Sequence, residues 1–146
     1  MDINRLQQAA TVRAGQEGFT IGARQEGFGS LIGPFLERGN EYGLYIDERH
    51  LNPEGFVHGG VLASMLDYVL YRVVGRELAP GLAVPTVDMQ LQYLGAVRTG
   101  DLVCGRGRVL RETRSLVFVH GELSVAGETV LAGSGVYKKV KVGAGA

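Results

Sequence analysis

"NPEGFVHGGVLASMLDYVL", residues 52–70, is the stretch on which the fold turns. Asn52-Pro53-Glu54-Gly55 carries turn chemistry and reads as a loop. After it, Val61, Leu62, Met65, Leu66, Val69 and Leu70 recur at helical spacing, and the pattern continues through Val73 and Val74. A helix over about 59–75 follows, apolar around most of its circumference and so buried nearly all round. Gly75 or the Pro80-Gly81 turn closes it. One carboxylate, Asp67, stands in this apolar body, and His58 and the Gly59-Gly60 pair stand at its mouth. A buried carboxylate without a partner costs several kcal/mol, so Asp67 needs a functional explanation more than any other residue here.

On the N-terminal side, Ile3, Leu6 and Ala10 are spaced for a short amphipathic helix ended by Gly15 and Gly18. Residues 31–37 and 42–49 read as two strands about the turn Arg38-Gly39-Asn40. Beyond residue 84 the pattern is all strand. In "VDMQLQY", Val87, Met89, Leu91 and Tyr93 alternate with Asp88, Gln90 and Gln92. Further strands are expected near 101–111, 115–126 and 129–141, separated by gaps too short for crossover helices, so the strands are antiparallel neighbours. Gly105, Gly107, Gly133 and Gly135 occupy alternate strand positions, which suits a bent sheet or one pressed close by another element. The fold class is α+β: a curved antiparallel sheet around one buried helix. Residues 1–27 read as an N-terminal helical extension, 28–142 as the domain proper and 143–146 as a frayed tail.

The 146 residues make one domain, with 45% hydrophobic and 21% charged residues, as in ordinary globular proteins. Fifteen basic residues balance fifteen acidic ones, which removes the electrostatic case for nucleic acid or a membrane surface as partner. Cys104 is the only cysteine, which fits a reducing compartment and reads as buried filler. The N-terminus has no apolar leader and no window is long enough to span a membrane, so a cytoplasmic protein is expected. There is no phosphate-binding loop, no H-E-x-x-H and no cysteine metal spacing, and no cofactor is expected.

The helical neighbours of Asp67 on its N-terminal side are Ala63, Ser64 and, one turn further back, Gly60. Small residues there let a ligand approach. Gly59 opens the helix, where free N–H groups and the helix dipole favour a negative oxygen. From Gly59 to Asp67 the helix rises roughly 12 Å at 1.5 Å per residue, too far for both to serve one carbonyl from a single chain. Two antiparallel copies would set Gly59 of one beside Asp67 of the other, giving two equivalent sites in an obligate homodimer.

Asn52, then His58-Gly59-Gly60, then Asp67, at this spacing, resembles the hotdog-fold thioesterases of the phenylacetate-degradation type (PaaI-like). The likeness runs over roughly residues 28–141, with "GSLIGPFLERGNEYGLYI" before the motif and "PTVDMQLQYLGAVRTGDLV" after it. It implies a hotdog fold, a homodimer and often a homotetramer, and hydrolysis of acyl-CoA esters. Under that resemblance the Gly59 amide binds the thioester oxygen, Asn52 and His58 shape the pocket, Asp67 from the partner chain is the catalytic carboxylate, and Thr86 orients water. Gly60 and Ser64 would line the substrate path. Arg111 and Arg114, in a strand-connecting turn, are candidates for the CoA phosphates.

Thioester hydrolysis suits these residues. It needs an oxyanion donor and a group that attacks or activates water; a thiolate leaves without a strong general acid. An ionised Asp can serve as base or nucleophile, and the sequence leaves both open. Plainer roles compete: His58 as a helix cap, Asn52 as a loop clamp, the glycines as a tight junction. Two other functions fit the same fold, an acyl-thioester hydratase or dehydratase and a non-catalytic acyl-CoA-binding protein.

Overall fold

The structure, a computed structural model, describes residues 1–22 and 26–143. The central helix, α3, spans Gly59–Glu77 and ends at Leu78, which turns to extended backbone (φ −96°, ψ 151°). It therefore runs through Gly75 instead of stopping there. A glycine inside a helix costs only about 1 kcal/mol, less than the burial of the neighbouring Val74 returns. Leu62, Met65, Leu66, Val69, Leu70 and Val74 form its buried face, each worth about 1.5–3 kcal/mol of removed apolar surface. The expected burial all round is not observed. Ser64, Asp67, Tyr68 and Tyr71 are half-buried and Gly60 is exposed, so one side of α3 stays open.

Among the described residues nine strands accompany it: β1 (Thr20–Ile21), β2 (Leu36–Arg38), β3 (Glu41–Tyr45), β4 (Leu82–Ala83), β5 (Thr86–Tyr93), β6 (Leu102–Glu112), β7 (Leu116–Val125), β8 (Glu128–Lys138) and β9 (Val140–Lys141). Seven form one antiparallel sheet in the order β1-β2-β3-β6-β7-β8-β5, and β4 pairs with β9 in a separate ribbon. The sheet curls about α3, and their contact makes the main core, from Phe35 and Tyr42 to Leu131 and Tyr137. At Gly105 a Cβ would lie 2.5 Å from Val69 Cγ2, and at Gly133 one would lie 2.6 Å from the Gln90 carbonyl oxygen and 2.8 Å from Leu66 Cδ2. The sheet glycines thus let the helix settle against the strands, as their alternate spacing suggested. Among the described residues strand β5 lies at the sheet edge, bonded to β8 alone.

Three local expectations are corrected. Residues 31–37 are not one strand: a short helix, α2 (Phe28–Ile32), precedes Gly33-Pro34, and β2 begins at Leu36. Pro34 has no N–H to give a ladder. Nor does the next strand reach residue 49. It ends at Tyr45, and the Asp47 side chain accepts from Arg49 N to cap a 3₁₀ turn, Glu48–His50, which takes the chain off the sheet. The first helix, α1 (Ile3–Gln16), contains Gly15; Glu17 caps it and Gly18, at φ 79°, reverses the chain.

Helix α1 lies on the sheet face away from α3, where Ala10 and Ala14 pack with Phe19, Leu36 and Tyr45 against Leu102 and Cys104. Cys104 is half-buried filler, and burial raises its thiol pKa. Of the tail, Gly143 is exposed and residues 144–146 lie outside the described residues.

Candidate active site

The entrance to α3 is built from the loop upward. Asn52 Oδ1 accepts from the amides of Glu54 (3.1 Å) and Phe56 (2.9 Å), clamping residues 52–56 into a turn. Its Nδ2 has no acceptor among the described residues. His58 is the N-cap: its Nδ1 accepts from Gly60 N at 2.9 Å, and its carbonyl accepts from Val61 N at 2.9 Å. The Gly60 and Val61 amides are thereby taken. The Gly59 amide, first in the helix, has no acceptor among the described residues. The Gly59 amide is therefore an unclaimed donor at the positive end of the dipole, the arrangement an oxyanion requires.

Two residues overlooked in the sequence hold this entrance. His50 is fully buried; its Nδ1 accepts from Asp47 N (2.9 Å) and its Nε2 lies 2.7 Å from the Ile32 carbonyl. Its own carbonyl accepts from His58 N at 2.8 Å, tying the cap to the 3₁₀ turn. Burial lowers its pKa, against the opposing pull of the Ile32 carbonyl and Asp47. The second is Tyr93, on β5, whose hydroxyl donates to the Gly59 carbonyl at 2.7 Å.

Asp67 lies further along α3 and is not unpaired. Thr86 Oγ1 donates to its Oδ1 at 2.9 Å, and so does the Tyr137 hydroxyl at 2.7 Å. Thr86 and Tyr137 face each other in the β5–β8 register. Both donors use the same carboxylate oxygen; Oδ2 has no hydrogen-bond partner among the described residues. Tyr137 is fully buried, and burial, followed by the Asp67 charge and hydrogen bond, pushes its phenol well above the ordinary range. It stays a proton donor at every working pH. Its signal in the sequence was parity: it continues the helix-facing row of Gly133 and Gly135.

Beside Asp67 opens a cavity of about 280 Å³ lined by Phe28, Gly29, Phe35, Ser64, Asp67, Tyr68 and Tyr71. Its wall is stiff. Tyr68 stacks on Phe35 with ring centroids 4.3 Å apart and donates to Glu37 Oε1 at 2.8 Å, and Glu37 is held in turn by Arg72 Nε at 2.7 Å. Burial opposes the ionisation of Glu37, but the Arg72 and Tyr68 hydrogen bonds outweigh it and its pKa is lowered. Ser64 faces the cavity while its hydroxyl donates to the Gly60 carbonyl at 2.7 Å. Gly60 itself is exposed at the helix mouth. Arg111 and Arg114 are exposed near the β6–β7 turn. The neighbouring Glu112 shares a cross-strand row with Val117, Tyr137 and Thr86. Three strand spacings, roughly 14 Å, separate that row's ends. Among the described residues no group of His, Cys, Asp or Glu could hold a metal, and no helix is long and apolar enough to cross a membrane.

One long helix held in the curl of an antiparallel sheet is the hotdog fold. Comparison with known proteins agrees: residues 54–132 match the thioesterase superfamily model, and the chain belongs to that family. It is 30% identical to a Pseudomonas aeruginosa protein described as a candidate esterase, over 83% of this chain and 94% of that one. A phenylacetic acid degradation-related protein of Ralstonia eutropha, described as a candidate thioesterase, superposes with a TM-score of 0.64 at 29% identity, over 93% of this chain and 98% of that one. A Bacillus halodurans protein solved with CoA superposes with a TM-score of 0.65 at 26% identity, over 69% of this chain and 67% of that one.

Proposed function

We propose that the protein hydrolyses acyl-CoA thioesters of small or medium acyl or aryl-acyl acids, releasing free acid and CoA, at two sites shared between the protomers of a homodimer. The observation that carries this is the pairing of an unclaimed amide at Gly59 with a carboxylate, Asp67, that has one oxygen anchored and the other free. The binding of CoA by the Bacillus halodurans relative supports the substrate class. The unpaired edge of β5 supports the dimer. An open strand edge invites another chain, and this strand carries both Thr86, beside Asp67, and Tyr93, beside Gly59.

In this reading the thioester carbonyl accepts from the Gly59 amide, with Asn52 Nδ2 and His58 flanking it. The partner's free Asp67 Oδ2 then either takes a proton from an attacking water or attacks the carbonyl carbon itself. Negative charge grows on the carbonyl oxygen as the tetrahedral intermediate forms, so the helix-start amide stabilises the transition state more than the ground state. Collapse expels the CoA thiolate, leaving the free acid in the first route and, in the second, a mixed anhydride on Asp67 that water then hydrolyses to the acid and the carboxylate. The acyl group occupies the cavity walled by Phe28, Phe35, Tyr68 and Tyr71, while Arg111 and Arg114 are available to the CoA phosphates.

A panel of acyl-CoA esters, with thiol release followed spectroscopically, tests the proposal in wild type and Asp67→Asn together. Asn keeps the shape and still accepts from Thr86 and Tyr137 but provides neither base nor nucleophile. Turnover should fall by roughly 10²–10⁴-fold. Full activity of Asp67→Asn, or no thiol release from any ester, contradicts the reading.

A further inference from the structure

We infer that Tyr137 is a positioning residue of the site: together with Thr86 it pins Asp67 Oδ1, fixing the carboxylate plane so that Oδ2 is the oxygen presented to the reaction. The inference rests on the reading of Asp67 as the working carboxylate and adds a residue that the motif around the helix does not contain. Three observations support it.

The first is geometric. Two hydroxyls converge on one oxygen, at 2.7 Å from Tyr137 and 2.9 Å from Thr86. A carboxylate on a short side chain otherwise turns about its terminal bond, whose energy profile is broad. Two donors on one oxygen select a single orientation, and both remaining directions of approach to Oδ2 stay open. Tyr137 also lies 3.3 Å from the Asp67 backbone carbonyl, but a phenol has one proton, and the shorter contact to a charged acceptor takes it.

The second is the fixed position of Tyr137 itself. The residue is wholly buried, and its ring lies across Gly135, where a Cβ would come within 2.9 Å of Tyr137 Cε2. A hydroxyl on a ring packed in this way is located by the core, not by its hydrogen bond. It can therefore impose an orientation on Asp67 instead of following one. The half-buried aspartate is the less tightly packed member of the pair.

The third is economy of donors. Thr86 is exposed on the edge strand, at the position where a second protomer would add. Tyr137 comes from the interior strand β8, so the two donors reach Asp67 from neighbouring strands of the same chain, one at the sheet edge and one inside the sheet.

The test uses the whole chain, in whatever assembly it adopts in solution, and three variants: Tyr137→Phe, Thr86→Val and Asp67→Asn. Loss of a hydrogen bond to a charged group should lower kcat of Tyr137→Phe by roughly 10- to 100-fold. KM should stay within about twofold of wild type, because the phenol does not touch substrate. The double variant Tyr137→Phe/Thr86→Val should fall below either single one. A readout that needs no activity accompanies these: the buried phenol proton should give an exchange-protected downfield proton NMR resonance. It should be absent in Tyr137→Phe and move upfield when the acceptor becomes neutral in Asp67→Asn. Wild-type kcat in Tyr137→Phe overturns the inference. So does a loss of kcat that is matched by a raised KM and a lowered melting temperature, which indicates a packing role alone, and so does a phenol resonance indifferent to Asp67→Asn. Full activity of Asp67→Asn instead removes the underlying reading of Asp67. An inactive Asp67→Asn beside a fully active Tyr137→Phe removes only the role of Tyr137.

Discussion

Replacing Gly59 by proline deletes one atom of consequence, the amide hydrogen, and the structure permits the exchange. Gly59 is the first residue of α3, where proline is tolerated because its φ suits the helix and its missing N–H breaks no helical bond. The preceding His58 already has φ −64° and ψ 128°, in the extended region that a residue before proline prefers. The added Cβ would meet Tyr93, 3.3 Å from its hydroxyl oxygen and 3.4 Å from Cζ. That side chain is 53% exposed and free to yield a few tenths of an ångström. Fold and melting temperature should therefore survive. An oxyanion donor contributes about 3 kcal/mol, so kcat should drop by roughly 10²-fold with KM little changed. Gly59→Ala is the matched control: it brings the same Cβ against Tyr93 but keeps the amide, and should stay within a few-fold of wild type. Steady-state thiol release on the best ester of the panel measures both. Wild-type turnover in Gly59→Pro refutes the assignment of the oxyanion donor. An equal loss in Gly59→Ala refutes it too, by tracing the defect to crowding of Tyr93.

Other consequences concern the scaffold. Gly133→Ala places a Cβ 2.6 Å from the Gln90 carbonyl, backbone that cannot give way, and 2.8 Å from Leu66 Cδ2. Overpacking of about 1–3 kcal/mol should lower the melting temperature by roughly 3–10 °C in a thermal melt, and an unchanged midpoint denies the tight contact of sheet and helix. His50 makes stability depend on pH. Its folded pKa lies below the unfolded value of about 6.5, so as pH drops below 6.5 the unfolded chain binds a proton that the folded chain refuses. The urea midpoint should fall from pH 7 toward pH 5, and His50→Gln should flatten that slope. Glu37, Glu41 and Asp47, whose pKa values are lowered, lose their stabilisation only at pH below about 4.5, so their effect is separable.

The elements with strong periodicity were legible in the sequence. The eight apolar positions between Val61 and Val74 and the alternation from Val87 to Tyr93 placed α3 and β5, and the spaced glycines marked the strands that meet the helix. Local polar chemistry was not legible in the same way. Capping by Asp47 ended β3 early, and Gly33-Pro34 split what reads as one apolar strand into a helical turn and β2. Of the site, Asn52, His58, Gly59, Asp67 and Thr86 could be picked out because they sit in or beside one motif. Tyr137 and Tyr93 meet it only through the β5–β8 pairing and the curl of the sheet. The acyl cavity was hidden for the same reason: Phe28, Phe35, Tyr68 and Tyr71 come from two helices, α2 and α3, and the loop before β2. Asp67 looked unpaired because its partners lie 19 and 70 residues away in the chain.

Whether the acid and the amide of one site come from two chains can be measured by subunit complementation. Asp67→Asn and Gly59→Pro chains, each inactive as a homodimer, are unfolded together in equal amounts and refolded. A shared site pairs the intact Asp67 of one chain with the intact Gly59 of the other at about one site in four, so about a quarter of wild-type activity should return. If each site is built within one chain, every site in the mixture keeps one defect, and activity no greater than that of the separate variants contradicts the shared site.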